Sequence, residues 1–297
     1  MNRIQTLLAT TDLSAPARHA MVRAAMVAAD NGARLAVTHV VSRSALDDLR
    51  HLLVWAPEGI EERLIDEARD AVRQLVADVG ERLGVTADVH VVAGQVLGEI
   101  TSHADAIDAG LLVMGARGAD FMRELLLGST TERVLRKTTR PLLVVKQFPH
   151  ESYRRVLVPV DFSSRSLAAV QFARALAPGA ELVLVHAFDV PFEGKLRLAG
   201  VEDVAINAYR VAAKREALDR MNGLIADTGL PDGGVRRVVV HGDPTSRILE
   251  QEQEHDCDLI VIGKHGQSVL EELLLGSVTR HVLARSAADV LVTDRPA

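Results

Sequence analysis

Two glycine-rich segments are the parts of this 297-residue chain best suited to chemistry. Gly115-Ala116-Arg117-Gly118 is followed, nine residues on, by Gly128-Ser129-Thr130. Gly263-Lys264-His265-Gly266 is followed at the same spacing by Gly276-Ser277-Val278, so both segments fit G-x2-G-x9-G-S. Glycines without a Cβ let backbone approach a ligand and present bare N–H donors. A helix opening at Gly128-Ser129 or Gly276-Ser277 adds orphan N–H groups, the positive end of its dipole and a hydroxyl at one point. Such a cradle holds an anionic phosphate chain without any basic side chain. Arg117 and His265, at an x position inside each loop, could approach phosphate as well or form solvated surface. Turn-making glycines and serine N-caps would use the same residues, so one copy alone leaves both readings open.

Other reactive side chains recur. Asp12 and Asp161 end the first apolar run of each half, where they could contact a ligand or face the dipole of the following helix. His39 and His186 end the second run and read as hydrogen-bonded structure. Cys257 has Ala109 as its counterpart and reads as a small packing residue. The acidic pairs Asp47-Asp48, Glu61-Glu62 and Glu271-Glu272 are sequence neighbours that diverge on a helix, so they form solvated faces rather than acid/base dyads. Asp258 stands where a G-x4-G-K-[ST] loop needs its first glycine, and G-x-G-x-x-G, G-x-S-x-G and H-E-x-x-H are all missing. No nucleophile is paired with a base, so no catalytic residue is assigned.

The elements that must position these groups are written twice. ELLLGS at Glu124–Ser129 returns at Glu272–Ser277, an offset of 148 that also relates GLLVMGARG to DLIVIGKHG and Val91–Gly94 to Val239–Gly242. Two copies of a unit of about 148 residues are too few and too long for a solenoid. They predict tandem domains, 1–148 and 149–297. Within each, short apolar runs alternate with helical patterns. The first copy has Ile4–Ala9, Leu35–Val41, Ala87–Val92, Leu111–Met114 and Leu142–Val145. The second has Val156–Val160, Glu181–His186, Arg236–Val240, Leu259–Ile262 and Val290–Thr293. Continuous rather than alternating hydrophobicity marks parallel strands buried on both faces. Five strands and four helices per copy predict an open, Rossmann-like α/β sheet with helices on both faces, whose ligands bind at the strands' carboxyl ends where strand order switches.

Composition narrows the function further. Lys and Arg number 17 against 19 Asp and Glu in residues 1–148, and 17 against 21 in residues 149–297. Neither half is a basic nucleic-acid module, and no polybasic patch suggests a membrane surface. Aromatics at 3% are too few for base-stacking platforms. A single cysteine excludes an intrachain disulfide and suits a reducing compartment. With no signal-peptide pattern and no 18-residue apolar run, a cytoplasmic protein is expected.

The glycine spacing, the strand-end aspartates and the duplication together resemble the universal stress proteins in their tandem, ATP-binding form, from Ile4 to Lys146 and again from Arg155 to Asp294. The resemblance implies two domains paired as an intramolecular pseudo-dimer through their last strands. It implies adenosine contacts from Thr11-Asp12 and Val160-Asp161, and adenine contacts from the backbone of Val40 and Ala187. Met114 and Ile262 would lie beside the nucleotide. Phosphates would fall to Gly115, Gly118, Gly128 and Ser129, and to Gly263, Gly266, Gly276 and Ser277, with Arg117, Thr130, His265 and Val278 completing the nucleotide-binding sets. ATP, ADP or AMP is the implied ligand, with Mg left open beside it and no metal site assigned to protein side chains. The implied role is stress-linked signalling, with a homodimer of tandem chains and an unidentified protein partner. Slow hydrolysis or autophosphorylation at Ser129, Thr130 or Ser277, a nucleotide-free interaction module and an adenine-nucleotide enzyme are the alternatives. Two departures stand out. Gly-x-Pro is kept at Gly242-Asp243-Pro244 but reads Gly94-Gln95-Val96 in the first copy, and Arg140-Pro141 of the first copy becomes Ala288-Asp289 in the second.

Overall fold

A computed structural model describes residues 4–52, 59–116, 127–190, 193–230, 233–265 and 275–294. All ten expected strands are present. The first repeat forms β1 (Thr6–Thr10), α1 (Ala15–Asn31), β2 (Arg34–Ser42), α2 (Arg43–Leu52), α3 (Ile60–Leu83), β3 (Ala87–Gly94), α4 (Val96–Ala106), β4 (Leu111–Gly115), α5 (Ser129–Lys137) and β5 (Leu142–Val145). The second forms β6 (Arg155–Pro159), α6 (Ser164–Leu176), β7 (Glu181–Phe188), α7 (Glu193–Leu198), α8 (Asp203–Thr228), β8 (Val235–His241), α9 (Pro244–Glu254), β9 (Leu259–Gly263), α10 (Ser277–Arg285) and β10 (Asp289–Thr293). Each repeat thus carries five helices among the described residues rather than the expected four. The additions are α2 and α7, short segments of 10 and 6 residues between the second strand and the long helix. Neither is long enough to stand out as a helical period.

Two compact units result. The first runs to Ser152 and takes in Asp289–Thr293, and the second runs from Tyr153 to Ala288. In the first, the strand order is β3-β2-β1-β4-β5-β10. Its members are parallel except β10, which lies antiparallel to β5 with Leu291 opposite Leu143. The last strand of the second repeat therefore completes the first unit's sheet, and the last strands pair as expected of the tandem form. In the second unit, β9-β6-β7-β8 are parallel. Order reverses between β1 and β4 and again between β6 and β9, which puts the two switch points beside the glycine segments.

Burial explains the continuous apolar runs. Leu7, Leu8, Leu111, Leu112, Leu142 and Leu143 are fully buried in the first sheet, as are Leu157, Leu182 and Leu184 in the second. Each such side chain contributes about 1.5–3 kcal/mol by leaving water. One polar cluster interrupts the first core. Asp289, at the position of Pro141 in the repeat, sits buried with Oδ2 3.3 Å from Nε of the buried Arg23. Its Oδ1 accepts from the backbone N–H of Lys146 at 2.8 Å and of Gln147 at 3.4 Å. Arg23 Nη1 also donates to the Glu151 carbonyl at 2.8 Å. The aspartate that replaces a proline thus fastens β10 to the chain leaving β5.

Cys257 is buried, and burial, reinforced by the Asp258 and Glu252 charges, pushes its thiol up to about 12. It stays protonated at neutral pH and fills a packing position. Among the described residues no helix is long and apolar enough to cross a membrane.

Candidate functional site

Where β1 and β6 end, the chain makes the same strained turn twice. Leu13 at φ 65° and Phe162 at φ 63° occupy the left-handed region, which costs a non-glycine residue roughly 1–2 kcal/mol. Side chains on either side hold the turn. Thr11 Oγ1 accepts from Leu13 N at 3.0 Å, and Asp12 Oδ1 accepts from Ser14 N at 3.0 Å and from the Ser14 hydroxyl. In the second repeat Asp161 Oδ1 accepts from Ser163 N at 3.0 Å and from the hydroxyls of Ser163 and Ser166, each at 2.6 Å. Ser14 and Ser163 then cap α1 and α6. The strand-end aspartates are thus part of the capping network. Strain repeated at one place in both copies marks a rim whose shape is imposed by its surroundings.

The second strand is tied to that rim. His39 Nδ1 lies 2.8 Å from the Thr11 carbonyl, and His186 Nδ1 lies 2.8 Å from the Val160 carbonyl. Burial lowers the His186 imidazole below its ordinary value, while donation to Val160 opposes that shift. A lowered histidine binds its proton less readily when folded than when unfolded, so stability present above about pH 6.5 declines as pH falls through that value. Urea midpoints measured between pH 7.5 and 5.5 are expected to fall for the wild type. The fall should be shallower for His186→Asn, whose amide also donates to Val160.

The glycine loops close in the same way in both repeats. Gly128 N donates to the Ala116 carbonyl at 2.8 Å, and Gly276 N donates to the Lys264 carbonyl at 3.0 Å. Thr131 Oγ1 donates to the Gly115 carbonyl at 2.9 Å, and Thr279 Oγ1 to the Gly263 carbonyl at 2.8 Å. The two glycine N–H groups are therefore engaged inside the loops. Among the described residues no side chain caps the first turn of α5 or α10, which start after Gly128 and Gly276. Space at Gly276 is tight, since a Cβ there would come within 3.3 Å of the Lys264 carbonyl oxygen. Lys264, whose counterpart is Ala116, is 3% exposed. Its Nζ lies 4.0 Å from Asp294, and burial lowers its ammonium while that carboxylate raises it.

A cavity of about 250 Å³ opens at the carboxyl ends of β6, β7 and β9 and is bounded by the start of α10. It gathers Val160, Asp161, Ala187, Ile262, Gly263, His265, Gly276, Ser277 and Val278, nine of the ten positions expected for the second repeat. The tenth, Gly266, lies outside the described residues. His265 is 5% exposed, and among the described residues neither of its buried ring nitrogens has a hydrogen-bond partner. In the first repeat Thr11, Asp12, Val40, Met114, Gly115, Gly128, Ser129 and Thr130 fall at the ends of β1, β2 and β4 and the start of α5, a single rim given the order β2-β1-β4. Arg117 and Gly118 lie outside the described residues.

Several residues of this rim escape a reading by motif. Ser163, Arg165, Ser166, Ile248 and Thr279 also line the second cavity, beside Pro244 of the Gly-x-Pro segment. Thr279 carried a usable signal, because Thr131 stands at the repeat offset from it. Arg165 carried none: its counterpart is Pro16. The Gly-x-Pro departure has a visible effect. Gly242 takes φ 131°, Asp243 accepts from Ser246 N at 2.9 Å as N-cap, and Pro244 starts α9, whereas Gln95 gives α4 no side-chain cap.

The model of the universal stress protein family matches residues 3–146 and again 152–294. A universal stress protein of Mycobacterium tuberculosis, Rv2005c, is 28% identical over 276 residues, spanning 87% of this chain and 86% of that protein. Universal stress protein MJ0577 of Methanocaldococcus jannaschii is 30% identical over 159 residues, spanning 48% of this chain and 96% of that one. The crystal structure of a universal stress protein from Archaeoglobus fulgidus shares the fold with a TM-score of 0.70 at 22% identity, covering 99% of this chain and 100% of that one.

Proposed function

Because this chain belongs to the universal stress protein family, with both repeats matched, we propose that it binds ATP, ADP or AMP at two sites, one per repeat, and acts through occupancy rather than turnover. The observation that carries this reading is the start of α10. Its uncapped first turn opens into the cavity beside His265, whose two ring nitrogens are buried and unbonded among the described residues. Helix-start donors that no side chain caps among the described residues suit a bound anion.

In this reading the backbone of Ala187 takes the adenine edge, and Val160, Asp161 and Ile262 enclose the nucleoside. The N–H groups at Ser277 and Val278, with the Ser277 hydroxyl, hold phosphate, and Gly263 and Gly266 let the chain pass close to it. Thr279 fixes the loop by holding the Gly263 carbonyl. Val40, Thr11, Asp12 and Met114 take the corresponding places in the first repeat, with Gly115, Arg117, Gly118, Gly128, Ser129 and Thr130 at its phosphates. Mg would arrive on the phosphates, its usual mode of binding beside nucleotides. Binding by backbone amides explains why near-neutral halves suffice, and nucleotide-dependent signalling under stress is the role that follows.

The test is direct. Purified protein is denatured and the released small molecules are separated by ion-exchange chromatography. Adenine nucleotide approaching two equivalents per chain is expected. A chain that releases none, and takes up none when incubated with ATP in the millimolar range, would sink the proposal.

A further inference from the structure

In the helix that follows the first strand of each repeat, the second residue is Pro16 in α1 and Arg165 in α6. Arg165 is half-buried and lines the cavity of the second repeat. The fold does not require a cation here, since the first copy does without one. Nor does α6 gain from it. Its first turn holds no acidic residue, and a guanidinium at the positive end of a helix opposes the dipole. Ser163 already caps this end, its Oγ accepting from Ser166 N at 3.3 Å. Among the described residues that line the cavity, Arg165 is the one permanent cation and Asp161 the one carboxylate. Asp161 Oδ1 is engaged by the hydroxyls of Ser163 and Ser166.

The topology fixes the side from which this cation reaches the cavity. The chain crosses the sheet one way from β6 to β8 and returns from β8 to β9. Right-handed crossovers therefore put α6 and α8 on one face and α9 on the other, with α10 packed beside α9. Arg165 and the start of α10 thus face the cavity from opposite sides of the sheet. We propose that Arg165 makes the second site select the length of the phosphate chain, taking a nucleoside triphosphate well ahead of the monophosphate. This rests on the nucleotide reading of the cavity given above. A monophosphate is held by the α10 amides alone. A triphosphate carries further oxygens and further charge across the cavity, where the planar guanidinium presents two parallel N–H donors to them. The grip on the ligand then grows with each phosphate, which amides at a single helix start do not supply.

Calorimetric titration of the nucleotide-free full chain with ATP, ADP and AMP, for the wild type and Arg165→Gln, tests this. At one of the two sites Arg165→Gln should weaken ATP by about tenfold or more and AMP by less than about threefold, with ADP between them. The other site should stay as in the wild type. Arg165→Lys, which keeps the charge and loses the fork, should fall between wild type and Arg165→Gln. Circular dichroism should be unchanged and the thermal midpoint equal or higher, because Arg165→Gln takes a cation from the positive end of α6. A wild type that binds nucleotide, with its ATP-to-AMP preference intact in Arg165→Gln, overturns this inference and leaves the nucleotide reading standing. Equal losses for ATP and AMP would place Arg165 at the nucleoside or the first phosphate and overturn it as well. A wild type that binds none of the three removes the nucleotide reading itself, and selection by Arg165 falls with it.

Discussion

Replacing Ser277 with aspartate is expected to leave the second repeat as stable as before, or slightly more so, while removing nucleotide binding there. The two effects have opposite signs because they act on the same donors. Ser277 is the first residue of α10, and the N-cap, Gly276, offers no side-chain acceptor. A carboxylate in the first turn satisfies orphan N–H groups and faces the positive dipole end, worth about 0.3–1 kcal/mol. The same carboxylate occupies the place assigned to phosphate and repels it. At least a hundredfold loss of ATP affinity is expected, about 2.8 kcal/mol at 1.4 kcal/mol per tenfold. Ser277→Ala is the matched control: it removes one hydroxyl and keeps the amides, so about tenfold or less should be lost. Thermal unfolding together with ATP titration separates the outcomes. If Ser277→Asp destabilises the fold, or binds ATP as the wild type does, α10 is not the phosphate-binding element.

The largest effect on stability is expected from Asp289→Ala. Removing this carboxylate takes one partner from the buried Arg23 guanidinium and one acceptor from the N–H groups of Lys146 and Gln147. Breaking one half of a buried pair costs about 3–5 kcal/mol. Arg23→Met should cost a comparable amount by stranding the carboxylate. The double variant Arg23→Met, Asp289→Leu should recover most of the loss, because well-packed apolar groups often replace a buried pair without penalty. Urea unfolding followed by far-ultraviolet circular dichroism reads all three. A loss below about 1 kcal/mol in Asp289→Ala would mean that β10 is held by strand pairing alone.

That ion pair also shows what a sequence conveys and what it withholds. The strands were legible because a parallel strand buried on both faces is a continuous apolar run, and because each run is seen twice at one offset. The glycine segments were legible for the same reason, and nine second-repeat positions converge on one cavity. Asp289 was visible as a departure from the proline of the first copy, but its role was not. Arg23 lies 266 positions earlier, and no local period reports a charge pair between distant helix and strand. The strained turns at Leu13 and Phe162 were hidden for a different reason: neither residue type favours positive φ, so nothing in its identity announces the conformation. Arg165 was hidden because duplication, the most informative signal in this chain, is silent about residues that only one copy carries.

The central claim is that each repeat holds one nucleotide by the amides of an uncapped helix start. Calorimetric titration of nucleotide-free protein with ATP tests it most directly, applied to the wild type, Ser129→Asp, Ser277→Asp and the combination. The account predicts two sites, one, one and none, with all four proteins folded. Two sites retained in the combined variant, or none in the folded wild type, would contradict it.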